Sequence, residues 1–151
     1  MKNRFLYLAF AAAVLFAACD DNSKSNSDPQ KKSGQWLGTM EVTLADSSVF
    51  AQDSITVNIN ILDEQYLSIM MNQVQFSPKM PVKIDMTIDS VSYESGSGLK
   101  FAGNNIVPEA MGGPFPQYTI TNLVGSTNNS GIEFSMICGQ SPIKFSGRAS
   151  D

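Results

Sequence analysis

From Trp36 onward, apolar and polar positions alternate with a period of two, the pattern of strands that bury one face. Trp36, Gly38, Met40, Val42 and Leu44 fall on one side of a first run, with Leu37, Thr39, Glu41 and Thr43 on the other. Ile55, Val57, Ile59 and Ile61 form a second stripe, and Asp63-Glu64-Gln65 turns the chain into a third, Leu67, Ile69 and Met71. A fourth is expected over Met80, Val82, Ile84, Met86 and Ile88, with Val91 and Tyr93 extending it past Ser90. Leu99 to Ala102, Tyr118 to Val124, Ile132 to Cys138 and Ile143 to Arg148 read as further strands between Gly-, Asn- and Ser-rich turns. Residues 103–116, with three Gly and three Pro, read as a long irregular loop, suited to capping the domain or meeting a partner.

About eight strands, each with one apolar face, are buried either by closing on themselves or by stacking in two layers. Mostly short connections favour an all-β fold, an antiparallel up-and-down β-barrel; a β-sandwich is the alternative. Such a barrel is filled by side chains or encloses one small ligand.

The first residues have a different pattern. Lys2 and Arg4 precede a 14-residue apolar run, Phe5 to Ala18, the length of a signal-peptide core and too short to span a bilayer. The run ends Leu15-Phe16-Ala17-Ala18-Cys19, which resembles a lipobox, with Phe16 where Leu is usual. The resemblance implies cleavage before Cys19 and lipid attachment to its sulfur. Two or more acyl chains suffice for stable anchoring. Residues 20–33, DDNSKSNSDPQKKS, are polar and aperiodic and read as a tether reaching on the order of 20 Å. The expected organisation is thus a signal peptide over 1–18, a lipidated tether over 19–33 and one domain over 34–151. Asp20-Asp21 resembles the surface-export signal of Bacteroidetes lipoproteins, which implies an outer-membrane location facing the cell surface, with the periplasmic face as the alternative; in enteric bacteria Asp at this place instead implies inner-membrane retention.

Charge and composition narrow the partners. Removing Lys2 and Arg4 from 10 basic residues leaves 8 against 14 acidic ones, a net of −6. There is no long basic run, so nucleic acid is not an expected partner. Histidine is absent, which removes the commonest general base and metal ligand. With Cys19 lipidated, Cys138 has no partner in the chain, and it reads as a small core residue. Asp85 and Asp89 share a strand face, but nothing places them at the separation glycosidase chemistry requires. No enzyme activity, cofactor or metal site is expected.

Gly34-Gln35-Trp36 at the first strand and Arg148 at the last resemble the calycin signature, in which a basic side chain packs across the indole. The chain also resembles calycin-like, lipocalin-like lipoproteins of Bacteroides and relatives over residues 36–149. The matching pieces are WLGTMEV, MPVKID after a strand ending in MMNQVQF, YTITNLVG, and CGQSPIKFSG. This implies a surface lipoprotein barrel with no catalytic residue. Methionine is abundant, and its flexible thioether suits an adaptable apolar pocket or an awkward core. Met40, Val42, Met80, Ile84, Met86, Phe134 and Met136 are the candidate lining of a cavity for a small apolar or amphipathic ligand. The competing expectation is a filled core whose loops bind protein or glycan; a peptidase inhibitor is a third. Asp53-Ser54-Ile55 and Asp89-Ser90-Val91 fit a loose O-glycosylation pattern, which mid-strand placement would make hard to reach.

The lipobox yields the first prediction. Metabolic labelling with a palmitate analogue is expected to tag the wild-type chain, and Cys19→Ser is expected to abolish the label and release the protein from the membrane fraction.

Overall fold

The computed structural model describes residues 33–150; the stretch expected to be a signal peptide, Cys19 and the expected tether up to residue 32 lie outside the described residues. Ten strands form: β1 (Gly34–Thr43), β2 (Val49–Ile61), β3 (Tyr66–Val74), β4 (Ile84–Ser95), β5 (Leu99–Gly103), β6 (Glu109–Ala110), β7 (Gly113–Pro114), β8 (Ile120–Thr127), β9 (Ile132–Cys138) and β10 (Ser141–Ala149). Eight of them close into an antiparallel up-and-down barrel, each pairing with its neighbour and β10 pairing back onto β1. The closure excludes the sandwich. A single 3-10 turn, Pro116–Tyr118, is the only helical element among the described residues.

The inner face is the alternating set that the sequence marks out. Trp36, Met40, Val42, Ile55, Val57, Ile59, Leu67, Ile69, Met71, Ile84, Met86, Ile88, Phe134, Met136, Ile143 and Phe145 belong to one continuous core. Each large apolar side chain removed from water contributes about 1.5–3 kcal/mol.

Alternation slips phase at four places, and each slip is a β-bulge. Thr39 faces Asp53 and Ser54, Asp85 faces Asn72 and Gln73, Ser68 faces Asp89 and Ser90, and Met136 faces Asn122 and Leu123. Every bulge holds one residue in the left-handed region: Ser54 (φ 60°), Gln73 (φ 57°), Ser90 (φ 60°) and Asn122 (φ 52°). A bulge adds local twist and bend, which a sheet needs in order to close. Polar side chains secure three of them. Asp53 accepts from Thr39 Oγ1 at 2.8 Å, Asp85 from the Gln73 amide at 2.8 Å, and Asn104 Oδ1 from the Asn122 amide at 3.1 Å.

The two ends of the barrel differ. Turns 62–65, 96–98 and 128–131 share one end with Gly34 and Ala149, hereafter the N-terminal end. Asp63 Oδ1 accepts from the amides of Gln65 and Tyr66, and Asn128 Oδ1 from those of Ser130 and Gly131, so two of these turns are built on a short polar side chain. Segments 44–48, 75–83, 104–119 and 139–140 form the cap end.

Two expectations need correction here. The fourth strand starts at Ile84, not Met80: residues 75–83 are a loop, Val82 is exposed, and Met80 packs half-buried against the core from outside the strand. Pro78 and Pro81 carry no amide proton for a ladder, and the Met80 amide turns back to Ser77 O at 3.0 Å. The loop 103–116 is not wholly irregular. After Ile106 bridges Ile120, β6 pairs with β4 through Met86↔Ala110 and Thr87↔Glu109, and β7 folds back on β6. Tyr118 accordingly belongs to the 3-10 turn, and β8 starts at Ile120.

Close strand approach sets a second expected outcome. A Cβ on Gly38 would lie 2.1 Å from the backbone oxygen of Ser146, on the strand paired with it. Because backbone cannot swing aside, Gly38→Ala is expected to destabilise the barrel by about 3 kcal/mol, the upper end of overpacking costs, measured by denaturant unfolding.

Candidate functional site

The barrel interior is the first place to look for a site. Met40, Val42 and Met86 are 0% exposed, so not even a water-sized space adjoins them. Ile84, Phe134 and Met136 are also buried, and their strands bring these six candidate lining residues into one core. Met80 alone of the seven stands apart, on loop 75–83. Phe134 stacks on Phe145 with ring centroids 5.2 Å apart, and its centroid lies 6.2 Å from that of Phe101. The methionines fill this interior as packing.

At the N-terminal end, Trp36 points inward and its indole folds back over Gly34, where a Cβ would meet the ring at 2.6 Å. Gly34 is thus required by the indole. Arg148 does not take the expected place across that ring. It is exposed and pairs with Leu37, while Trp36 pairs with Ala149. Alternation puts Arg148 on the outer face, one residue out of phase with the indole.

The cap end is built from aromatic and apolar side chains. Tyr118 lies between two phenylalanines, with ring centroids 4.7 Å from Phe76 and 5.0 Å from Phe115. Phe76 comes from loop 75–83, and Phe115 and Tyr118 from segment 104–119, so two loops interlock over the core. Loop 75–83 is further held by the Gln52 side chain, which donates to Gln75 O at 2.6 Å and accepts from the Gln75 amide at 3.0 Å. A side-chain amide here takes the place of a ladder pair. Gln75 Nε2 then donates to Met80 O at 2.9 Å.

The hairpin β6–β7 projects from this cap. Its turn, Met111-Gly112, has φ of 53° and 85°, both in the left-handed region. Glycine tolerates that conformation, and methionine pays about 1–2 kcal/mol for it. The Met111 side chain is nevertheless 73% exposed. Val49, Val82 and Val107 are exposed apolar residues of the same end. The sequence gives little sign of this hairpin, because its strands are two residues long; the Gly112-Gly113 pair is the one local turn signal.

The outer face carries shallow depressions. One of about 480 Å³ crosses β8, β9, β10 and β1 and is lined by Thr39, Glu41, Ser126, Glu133, Lys144 and Ser146 among others. Ser54 and Ser90 are exposed on their bulges, so mid-strand position does not hide either hydroxyl. Asp85 holds the Gln73 bulge, whereas no role for Asp89 is evident. Among the described residues, no group of three or more acids or cysteines is arranged to hold a metal ion.

Cys138 is buried at the cap end of β9, with its thiol 3.7 Å from Tyr118 O. Burial pushes its pKa from 9.0 up to about 12, which keeps the thiol protonated and unreactive at neutral pH. Comparison with family models, with curated proteins and with solved structures finds no match to this chain.

The cysteine gives a prediction with a definite sign. The unfolded thiol ionises above pH 9 while the folded one stays neutral, so the unfolded state alone gains from rising pH. Between pH 9 and 12 this group is expected to lower stability by up to about 1.4 kcal/mol per pH unit. Denaturant melts of wild type and Cys138→Ala across that range should diverge below pH 9 only by a constant, and converge above it.

Proposed function

We propose that this chain is a non-catalytic, lipid-anchored cell-surface domain that contacts a protein or glycan partner through its cap end. In this reading Cys19 carries the lipid, the outer membrane is the anchor site, and the barrel is calycin-like in architecture. The observation that carries it is the filled interior, with Met40, Val42 and Met86 at 0% exposure under an interlocked aromatic cap. A core packed to this degree leaves the surface as the place for recognition. The N-terminus enters at the opposite end, so a tether would leave the long loops and the Met111 hairpin facing away from the membrane.

Met111 supports the same reading. A strained backbone that presents an exposed apolar side chain is a reason to look for a binding role at that residue. A second reading, a small apolar guest inside the barrel, draws on the adaptable thioethers of Met40, Met71, Met86 and Met136. It requires the core to repack around the guest.

Two measurements separate these readings. Native mass spectrometry of protein from its own host is expected to show the lipidated chain with no interior guest; a stoichiometric small molecule would overturn the first reading in favour of the second. Met111→Asn is expected to stabilise the fold by about 1 kcal/mol, since asparagine tolerates the left-handed region. The same change is expected to weaken crosslinking to a discrete partner on intact cells. Unchanged crosslinking would remove Met111 from the contact surface.

A further inference from the structure

β5 is the shortest strand of the eight-strand ring, and its length leaves a seam. It pairs with β4 from Ser92 to Ser95 and with β8 from Leu123 to Ser126, then ends at Gly103. β4 and β8 both extend further toward the cap, to Ile84 and Ile120. Segment 104–115 covers the space between them. Ile106 bonds Ile120 in both directions, at 3.0 and 2.7 Å, and Glu109 and Ala110 then pair with Thr87 and Met86. Val107 and Pro108 lie between these two footholds, and Pro108 has no amide proton to donate.

The cover is light and strained. Its inward side chains are a half-buried Ile106, Pro108 and Ala110. Beside it on β4 and β8, Met86, Ile88, Ile120 and Leu123 are at most 1% exposed. Asn105 and Met111 within the segment, and Ser90 and Asn122 on the flanking strands, hold φ of 55°, 53°, 60° and 52°, all left-handed. Such strain persists where the surroundings impose it, and switch segments are one such place. The segment is also bonded within itself: β6 pairs with β7, and the Phe115 amide donates to Pro108 O at 2.8 Å. It can therefore move as one piece. Gly103 precedes it, and its far end is latched where Phe115 stacks on Tyr118, ring centroids 5.0 Å apart.

We propose that segment 104–115 is a side gate, which swings off β8 and β4 as a unit while the eight-strand ring stays paired. Opening breaks the Ile106–Ile120 bridge, the β6–β4 pairing and the Phe115–Tyr118 stack, and it bares the apolar flank at Met86 and Ile120. Elements that move in response to a partner are drawn from such weakly held parts of a fold. Met111 rides on the gate. Under the proposed contact role, a partner that prefers one arrangement of this turn shifts the balance between open and closed. The gate itself rests on the strand pairing, so it holds whether or not a partner contacts Met111.

Native-state hydrogen exchange tests the gate, on the chain from residue 19 with Cys19→Ser. The Ile106 and Ile120 amides are expected to be about 100-fold less protected than the Phe145 amide, which lies inside the β9–β10–β1 ladder. Phe115→Ala removes the latch and is expected to cost Ile106 and Ile120 about tenfold more protection, with Phe145 changed less. Thr87→Cys/Glu109→Cys, in a Cys138→Ala background, joins paired positions across the gate. Its oxidised form is expected to protect Ile106 and Ile120 about tenfold better than its reduced form, narrowing their gap to Phe145. Equal protection of all three amides in wild type, or no response of Ile106 and Ile120 to oxidation of the pair, means that the segment opens only with the whole barrel and no gate exists.

Discussion

Closure of the sheet is the constraint on which the rest of this structure depends. A strand at an open edge exposes a row of unpaired backbone groups, and pairing β10 with β1 removes that edge from the eight-strand ring. Closure demands strong coiling, and the four bulges supply places where strands bend. Each places one Ser, Gln or Asn in the left-handed region, at a local cost that the closed ladder and continuous core offset. Outside the ring, the short β7 pairs on one side, with β6, and Pro114 removes one donor from it.

The fold was largely legible because alternation is a direct consequence of one-sided burial. Ile55, Val57 and Ile59 are inward in the sequence pattern and in the barrel for the same reason. The bulges were legible in part. Ile88-Asp89-Ser90-Val91 and Met71-Asn72-Gln73-Val74 break the period by one residue, which is what an inserted residue does to a stripe. The error at Met80 and Val82 came from apolar residues that keep the period by accident, where prolines deny the ladder its amides. Arg148 shows the opposite limit. Its position near the end of the last strand was readable, but its face depends on a parity that a short motif does not state.

The site was less legible than the fold, for a physical reason. A methionine on an inward stripe has the same sequence pattern whether it lines a cavity or fills it. The difference lies in whether open space adjoins the side chain, and Met40, Val42 and Met86 are 0% exposed. The cap depends on contacts between loops distant in sequence. Phe76 meets Tyr118 and Gln52 meets Gln75, and no local periodicity announces either pair.

The contrast between the ends follows from this packing. At the N-terminal end, two of the turns are closed by their own side chains, Asp63 and Asn128, each accepting from amides of its turn. At the cap end the core is sealed by side chains from two long loops, so the hairpin above them is not needed to close the barrel. Its position is set by pairing to β4, yet its exposed tip holds a residue poorly suited to the turn. Stability alone would favour asparagine or glycine at Met111. Under the proposed contact role, the pairing of β6 to β4 would limit the conformational freedom that binding at this turn has to remove.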